Sequence, residues 1–374
     1  MKRILLRWMA LLLTLSLLVL PAGASDLEAE IAQTASGLSA FGGKPGRLLT
    51  QEADLPAGSS ISDWTAIALA LSGQEERFDS YRKRLEDRIT KRYEENGGLD
   101  PVEANPYHRA ALTVLALGAD PTAFGTKADG SPIDLIADGT YAFRGESIGA
   151  QGLNGWIYAL LVLDASGVSV PEDARFSRQD MIDAILAAQE EDGGFGLTEG
   201  SSDVDITAMA LQALAPYQNQ YPREIQLALT YLSDQMNGSC RFQSYGQESA
   251  ESSAQVILAL CSLGIDPAEA NQFTIGIENL LTGLAGFRLA DGSYGHLRED
   301  TQGNCLATAQ CLLALTALSR LREGRRLYDF TDYPGPNAAS PSRLLYVVSG
   351  AIVLCLGGCL VLLRKRRKYG KNNG

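Results

Sequence analysis

Histidine is nearly absent: the chain of 374 residues holds two, His108 and His296. Cysteine is also scarce, and no Cys-x-x-Cys pair occurs. Zinc sites of the usual Cys/His kind need such clusters, so no metal is expected and no cofactor is implied. Acidic residues are missing from both ends. Residues 1–24 and the stretch from Arg343 onward contain none of the 44, whereas 10 of the 32 basic residues lie there. The segment between them therefore sets 44 acids against 22 bases, a net charge of −22. That field repels polyanions and excludes nucleic acid as a partner, while neutral or cationic ligands remain compatible with it. No LPxTG-type wall-sorting signal is present either.

What the ends do contain is apolar. Lys2, Arg3 and Arg7 precede a leucine-rich run, and Ala22-Gly23-Ala24 offers small residues for cleavage, so 1–24 reads as a signal peptide. Leu344 to Leu363 is uncharged over twenty residues, about 30 Å as a helix, which matches a bilayer core. Arg364 to Lys368 follow at once and by the positive-inside rule stay in the cytoplasm. The expected layout is a signal peptide at 1–24, a folded extracellular domain at 25–330 and a Pro-rich tether at 331–342. A transmembrane helix at 343–363 and a basic tail at 364–374 complete it. The protein is thus expected in the plasma membrane as a single-pass chain.

Between the ends one phrase recurs: a tight Asn/Asp-Gly turn, an aromatic or leucine plug, then a small-residue helix. It reads EENGGLD at 94–100, QEEDGGFGL at 189–197, QMNGSCRF at 235–242 and LADGSYGHL at 289–297. Helices apolar on most faces are expected near 61–73, 107–118, 152–166, 203–217, 251–264 and 304–319; such helices belong inside an assembly. Amphipathic partners are expected near 27–38, 81–93, 131–138, 178–189, 223–236 and 272–283. Ser177 with Asp180 spells a capping box for the fourth of these. Six inner and six outer helices at intervals of about 45–55 residues imply an all-α, closed (α/α)6 toroid, with an open solenoid as the alternative. Asn/Asp-Gly is expected to close helix ends in the left-handed region, and Phe195, Phe242 and Tyr294 to plug the layers. Cys240, Cys261, Cys305 and Cys311 are expected as free thiols, since 305 and 311 stand about 9 Å apart along one helix.

The chain here resembles the terpenoid cyclase and protein prenyltransferase superfamily of toroids, which includes squalene cyclase-like proteins. Gln189 to Phe195 is similar to its Q-x(n)-G-x-W repeat, with Phe for Trp, and the resemblance covers roughly 60–320. Asp203-Val-Asp205-Ile206-Thr207-Ala208 is similar to the cyclase motif D-x-D-D-T-A, which implies Asp205 as a candidate catalytic acid with Asp203 beside it. Ile206 stands where a further carboxylate would be. The plainer reading has Ser202 or Asp203 capping the helix and Asp205 in its first turn. Prenyltransferases hold zinc through an Asp, a Cys and a His; Asp291 matches, but Ser293 and Ala307 occupy the other two positions. The G-C-G-E-Q of complement-like thioester domains does not occur. Asp203 to Leu214 is also similar to an inner helix of the cobalamin-carrier (transcobalamin-like) family, whose members clasp their ligand with a second domain.

Inner helices of a toroid run parallel, so their N-terminal turns gather at one mouth. The residues expected there are Asp63, Trp64, Tyr107, His108, Asn154, Trp156, Asp203, Asp205, Glu251, Gln255 and Asn304. Such a rim suits a small-molecule, glycan or peptide ligand, with a second chain able to complete the site. The resulting expectation is a non-catalytic, ligand- or partner-binding surface protein. The alternatives are a cyclase- or prenyltransferase-type enzyme, or a glycan-processing enzyme using Asp203 and Asp205.

Overall fold

A computed structural model describes residues 22–336 apart from 45, 245 and 332. The signal-peptide residues 1–21, the expected transmembrane helix and the basic tail lie outside the described residues. Among the described residues no helix is long and apolar enough to cross a membrane.

The described chain is all-α but for one hairpin, Gln243–Ser244 with Gln247–Glu248. Six helices are the inner ones: α2 (Ser60–Leu71), α4 (Asn105–Ala116), α6 (Leu153–Ser166), α8 (Val204–Leu214), α10 (Ala250–Ser262) and α12 (Cys305–Arg322). The outer ones are α1 (Ala22–Ala40), α3 (Phe78–Asn96), α5 (Leu135–Gly139), α7 (Arg178–Ala187), α9 (Pro222–Gln235) and α11 (Leu280–Ala285). Two outer helices are short. α5 has five residues, and the expected 272–283 helix gives way to a turn at Ile275–Glu278 before α11 starts. A glycine at 276 with φ +64° breaks the helical path there.

Each inner helix packs against the next, and α12 packs against α2, so the inner layer returns to its own start. Outer helices lean on the inner helix that precedes them: α5 on α4, α7 on α6, α9 on α8, α11 on α10. α1 has no predecessor and packs on α12. Burial explains the division. In α10 every residue but Glu251 and Ser262 is buried, whereas α3 buries only Phe78, Tyr81, Leu85, Ile89 and Tyr93. Ser177 and Asp180 form the expected capping box on α7.

The repeated turn is framework, with one change of role. Gly97 closes α3 in the left-handed region as expected. Gly193 and Gly292 do not cap helices, because α7 and α11 end five or more residues earlier. They let a turn press on the next outer helix: a Cβ would lie 2.7 Å from Leu227 O at Gly193 and 2.4 Å from Gln33 O at Gly292. Phe195, Phe242 and Tyr294 are fully buried plugs. Phe195 N–H donates to Thr207 Oγ1 (2.8 Å) and Tyr294 N–H to Thr308 Oγ1 (2.9 Å), pinning each turn to its inner helix. The four described cysteines are free, with Cys240, Cys261 and Cys311 buried.

Past α12 the chain crosses the C-terminal ends of the inner helices. Buried Arg320 donates to Leu327 O (2.7 Å) and Leu71 O (3.1 Å). The Tyr333 hydroxyl reaches Ala116 O (3.1 Å) and Ala70 O (3.3 Å), and Gly335 meets Gly118 backbone to backbone. The first residues of the expected tether are therefore a packed strap across this pole.

Candidate functional site

Near their N-terminal ends, neighbouring inner helices meet in three places. Thr65 Oγ1 lies 3.5 Å from Cys305 Sγ, Arg109 pairs with Asp63, and Asp205 stands beside Ser252 and Glu251. Helical phase then decides which side chains share a face with Asp205. Positions two and six of these helices fall on one face, being four apart. In α6, α8 and α10 they are Asn154 and Tyr158, Asp205 and Met209, Glu251 and Gln255.

Asp205 is the centre of the cluster. Burial pushes its carboxyl up to about 6, helped by the nearby anions Asp203 and Glu251 and opposed by Ser252 and Ser244 hydroxyls. Its Oδ1 is buried without a hydrogen-bond partner. Glu251 Oε2 accepts from His296 Nδ1 at 2.9 Å. Gln212 Nε2 donates to Gln255 Oε1 (2.9 Å), and Gln255 Nε2 to Gln310 Oε1 (3.3 Å), a row of amides across three inner helices. Trp64 and Tyr158 form an aromatic wall, their centroids 6.0 Å apart at 54°. Burial, with the Asp205 charge beside it, holds the Tyr158 phenol well above its ordinary range.

Several expected rim residues serve the scaffold instead. Asp63 is 1 % exposed and accepts from Tyr81 hydroxyl (2.7 Å), Arg109 Nε (2.9 Å) and Gly58 N (3.2 Å). Burial still raises its carboxyl, the Arg109 charge opposing. Tyr107 turns outward, its hydroxyl serving Leu99 and Asp100 backbone and its ring packing edge-on to Tyr93 and Phe143. His108 is buried with Nε2 2.6 Å from Gly139 O, and burial lowers it to about 4. Trp156 packs edge-on to Phe176 and lines an outer groove of about 710 Å³ with α7. Asp203 caps α8, accepting from Asp205 N (2.9 Å), Ile206 N (3.2 Å) and Ser244 Oγ (2.7 Å). Asn304 caps α12 in the same way. The reason is common to all: their helical positions point to the outer layer or back to the helix end, not to the bore.

Trp64, Asn154, Asp205, Glu251 and Gln255 remain as candidate site residues. The structure adds Tyr158, Gln310 and His296. The first two carry the i+4 signal from Asn154 and Leu306, whereas His296 arrives on a turn from 45 residues away. No group of three His, Cys, Asp or Glu side chains suited to a metal occurs among the described residues. The sequence matches no family model and no curated protein.

Proposed function

We propose that this chain is an (α/α)6 toroid of the terpenoid cyclase and prenyltransferase type, held at the outer face of the plasma membrane. It binds a small polar ligand at the mouth formed by the N-terminal ends of its inner helices. Closure of α12 on α2 supports the toroid. The apolar run at 343–363 followed by Arg364 to Lys368 supports the anchor. The observation that carries the binding reading is the bore itself: the amide row Gln212–Gln255–Gln310, the carboxylates Asp205 and Glu251, and the Trp64–Tyr158 wall converge there. Ile206, Ser293 and Ala307 stand where cyclase and prenyltransferase relatives need reactive groups, so binding without turnover is the better reading.

A second reading has one observation in its favour. A carboxyl raised to about 6 with an unpaired oxygen is poised for proton transfer, which would make Asp205 a general acid. Both readings meet in one experiment on the full-length protein in detergent. Thermal shifts are measured with a corrinoid, a glycan panel, peptides, small amines and polyprenyl substrates, and any responding compound is followed for conversion. A shift lost in Asp205→Asn without conversion supports binding. Conversion abolished by Asp205→Asn replaces it with the enzyme. No Asp205-dependent shift removes the mouth as a site.

A further inference from the structure

The carboxylates at the mouth lack cations. Asp203, Asp205 and Glu251 stand close enough for the other two charges to oppose ionisation of Asp205. No lysine or arginine pairs with any of them among the described residues, and His296 on Glu251 is the one cationisable partner.

The wall beside them is unfinished too. Among the described residues neither the Tyr158 hydroxyl nor that of Tyr328 has a hydrogen-bond partner, and the two lie close to each other. Both rings keep some accessible surface, as side chains bordering an internal space do. Tyr328 comes from the strap and also lines a cavity of about 240 Å³ at the far pole, with Gln212 and Leu161. Asn154 Oδ1, one turn before Tyr158, is buried without a partner, like Asp205 Oδ1. Two acceptor oxygens at the mouth, Asp205 Oδ1 and Asn154 Oδ1, thus stand without a donor.

An ammonium group answers each of these conditions. It offers three N–H donors to unpaired oxygens, and its charge offsets the mutual repulsion of the carboxylates. Its methylenes pack on Trp64 and Tyr158, whose ring faces attract the cationic end. A bare divalent ion wants six or more oxygens and would leave the aromatic wall uncovered. We infer that the mouth takes a small primary alkylammonium ligand, its nitrogen between Asp205 and Glu251 and its chain along Trp64 and Tyr158 towards Tyr328. This rests on the mouth being a binding site, as proposed above, and specifies what it holds.

The test titrates full-length protein in detergent at neutral pH with hexylammonium, hexanol, hexanoate and tetramethylammonium, by calorimetry and tryptophan fluorescence. Hexylammonium is expected to bind saturably, and the other three about tenfold more weakly or not at all. Asp205→Asn and Glu251→Gln are each expected to weaken it about tenfold while still melting cooperatively. If one variant fails to fold, the other carries the comparison. Hexanol binding as tightly as hexylammonium overturns the inference, as does an affinity unchanged in the folded variants or no binding of hexylammonium. In those cases an Asp205-dependent shift with a corrinoid, glycan or peptide leaves the mouth reading standing. Its absence takes that reading down as well.

Discussion

Two buried residues with displaced titrations act in opposite directions on stability. Asp205 titrates at about 6 when folded against an ordinary 3.8, so its contribution declines as pH climbs from about 4 to about 6. His108 titrates at about 4 against 6.5, so its contribution is full above 6.5 and declines as pH falls towards 4. Each amounts to about 3 kcal/mol. The unmodified protein should therefore show a nearly level stability between pH 4 and 6 as far as these two residues decide it. Asp205→Asn should raise stability at pH 7.5 by up to about 3 kcal/mol and uncover an acid-side decline from His108. Denaturant melts at pH 4.5, 6 and 7.5 read both effects, and a variant no more stable at 7.5 contradicts the burial assigned to Asp205. A carboxyl that weakens its own scaffold fits the binding role proposed for it, since function and stability commonly trade against each other.

Among elements, the turn and the inner helix after it form one unit. Thr207→Val and Thr308→Val should each cost about 1–2 kcal/mol, since Phe195 and Tyr294 backbone N–H groups are left buried without acceptors. Equal melting of variant and parent would show that the turns are not pinned there. The plugs and N-caps of this unit are legible in the repeated phrase because they are local choices, whereas the helix-closing role expected of its glycines holds at Gly97 and fails at Gly193 and Gly292, and Cys240 rather than Gly238 is left-handed in the third copy. Element types and the inner/outer division were legible as well, through the breadth of the apolar face. The site was less so. Asp63, Tyr107 and His108 sit near helix starts as Asp205 does, and sequence proximity to a mouth does not separate bore from outer layer. Only the phase relative to the ring does, and α4 starts with Asn105-Pro106 and lacks a side-chain cap that would fix its first position. His296 was beyond reach for another reason: its partner Glu251 lies in a different repeat.

For the whole molecule, the strap joins parts of the ring that share no sequence neighbourhood. Tyr333→Phe removes a hydroxyl that serves both α2 and α4 carbonyls and should cost about 1 kcal/mol. A melt unchanged by this substitution would make the strap an ornament.

The pairing of α1 with α12 also orders events in time. Glu28 meets Ser319 across 291 residues and Glu30 meets Tyr294 across 264. The helix made first finds its seat only after the one made last has formed, so most of the chain must emerge while α1 waits with Leu27, Ile31 and Leu38 uncovered. Contacts of such separation close slowly. A chain of this design passes through a stage in which the inner layer stands open with α1 unattached, and chaperones are what make such a stage harmless.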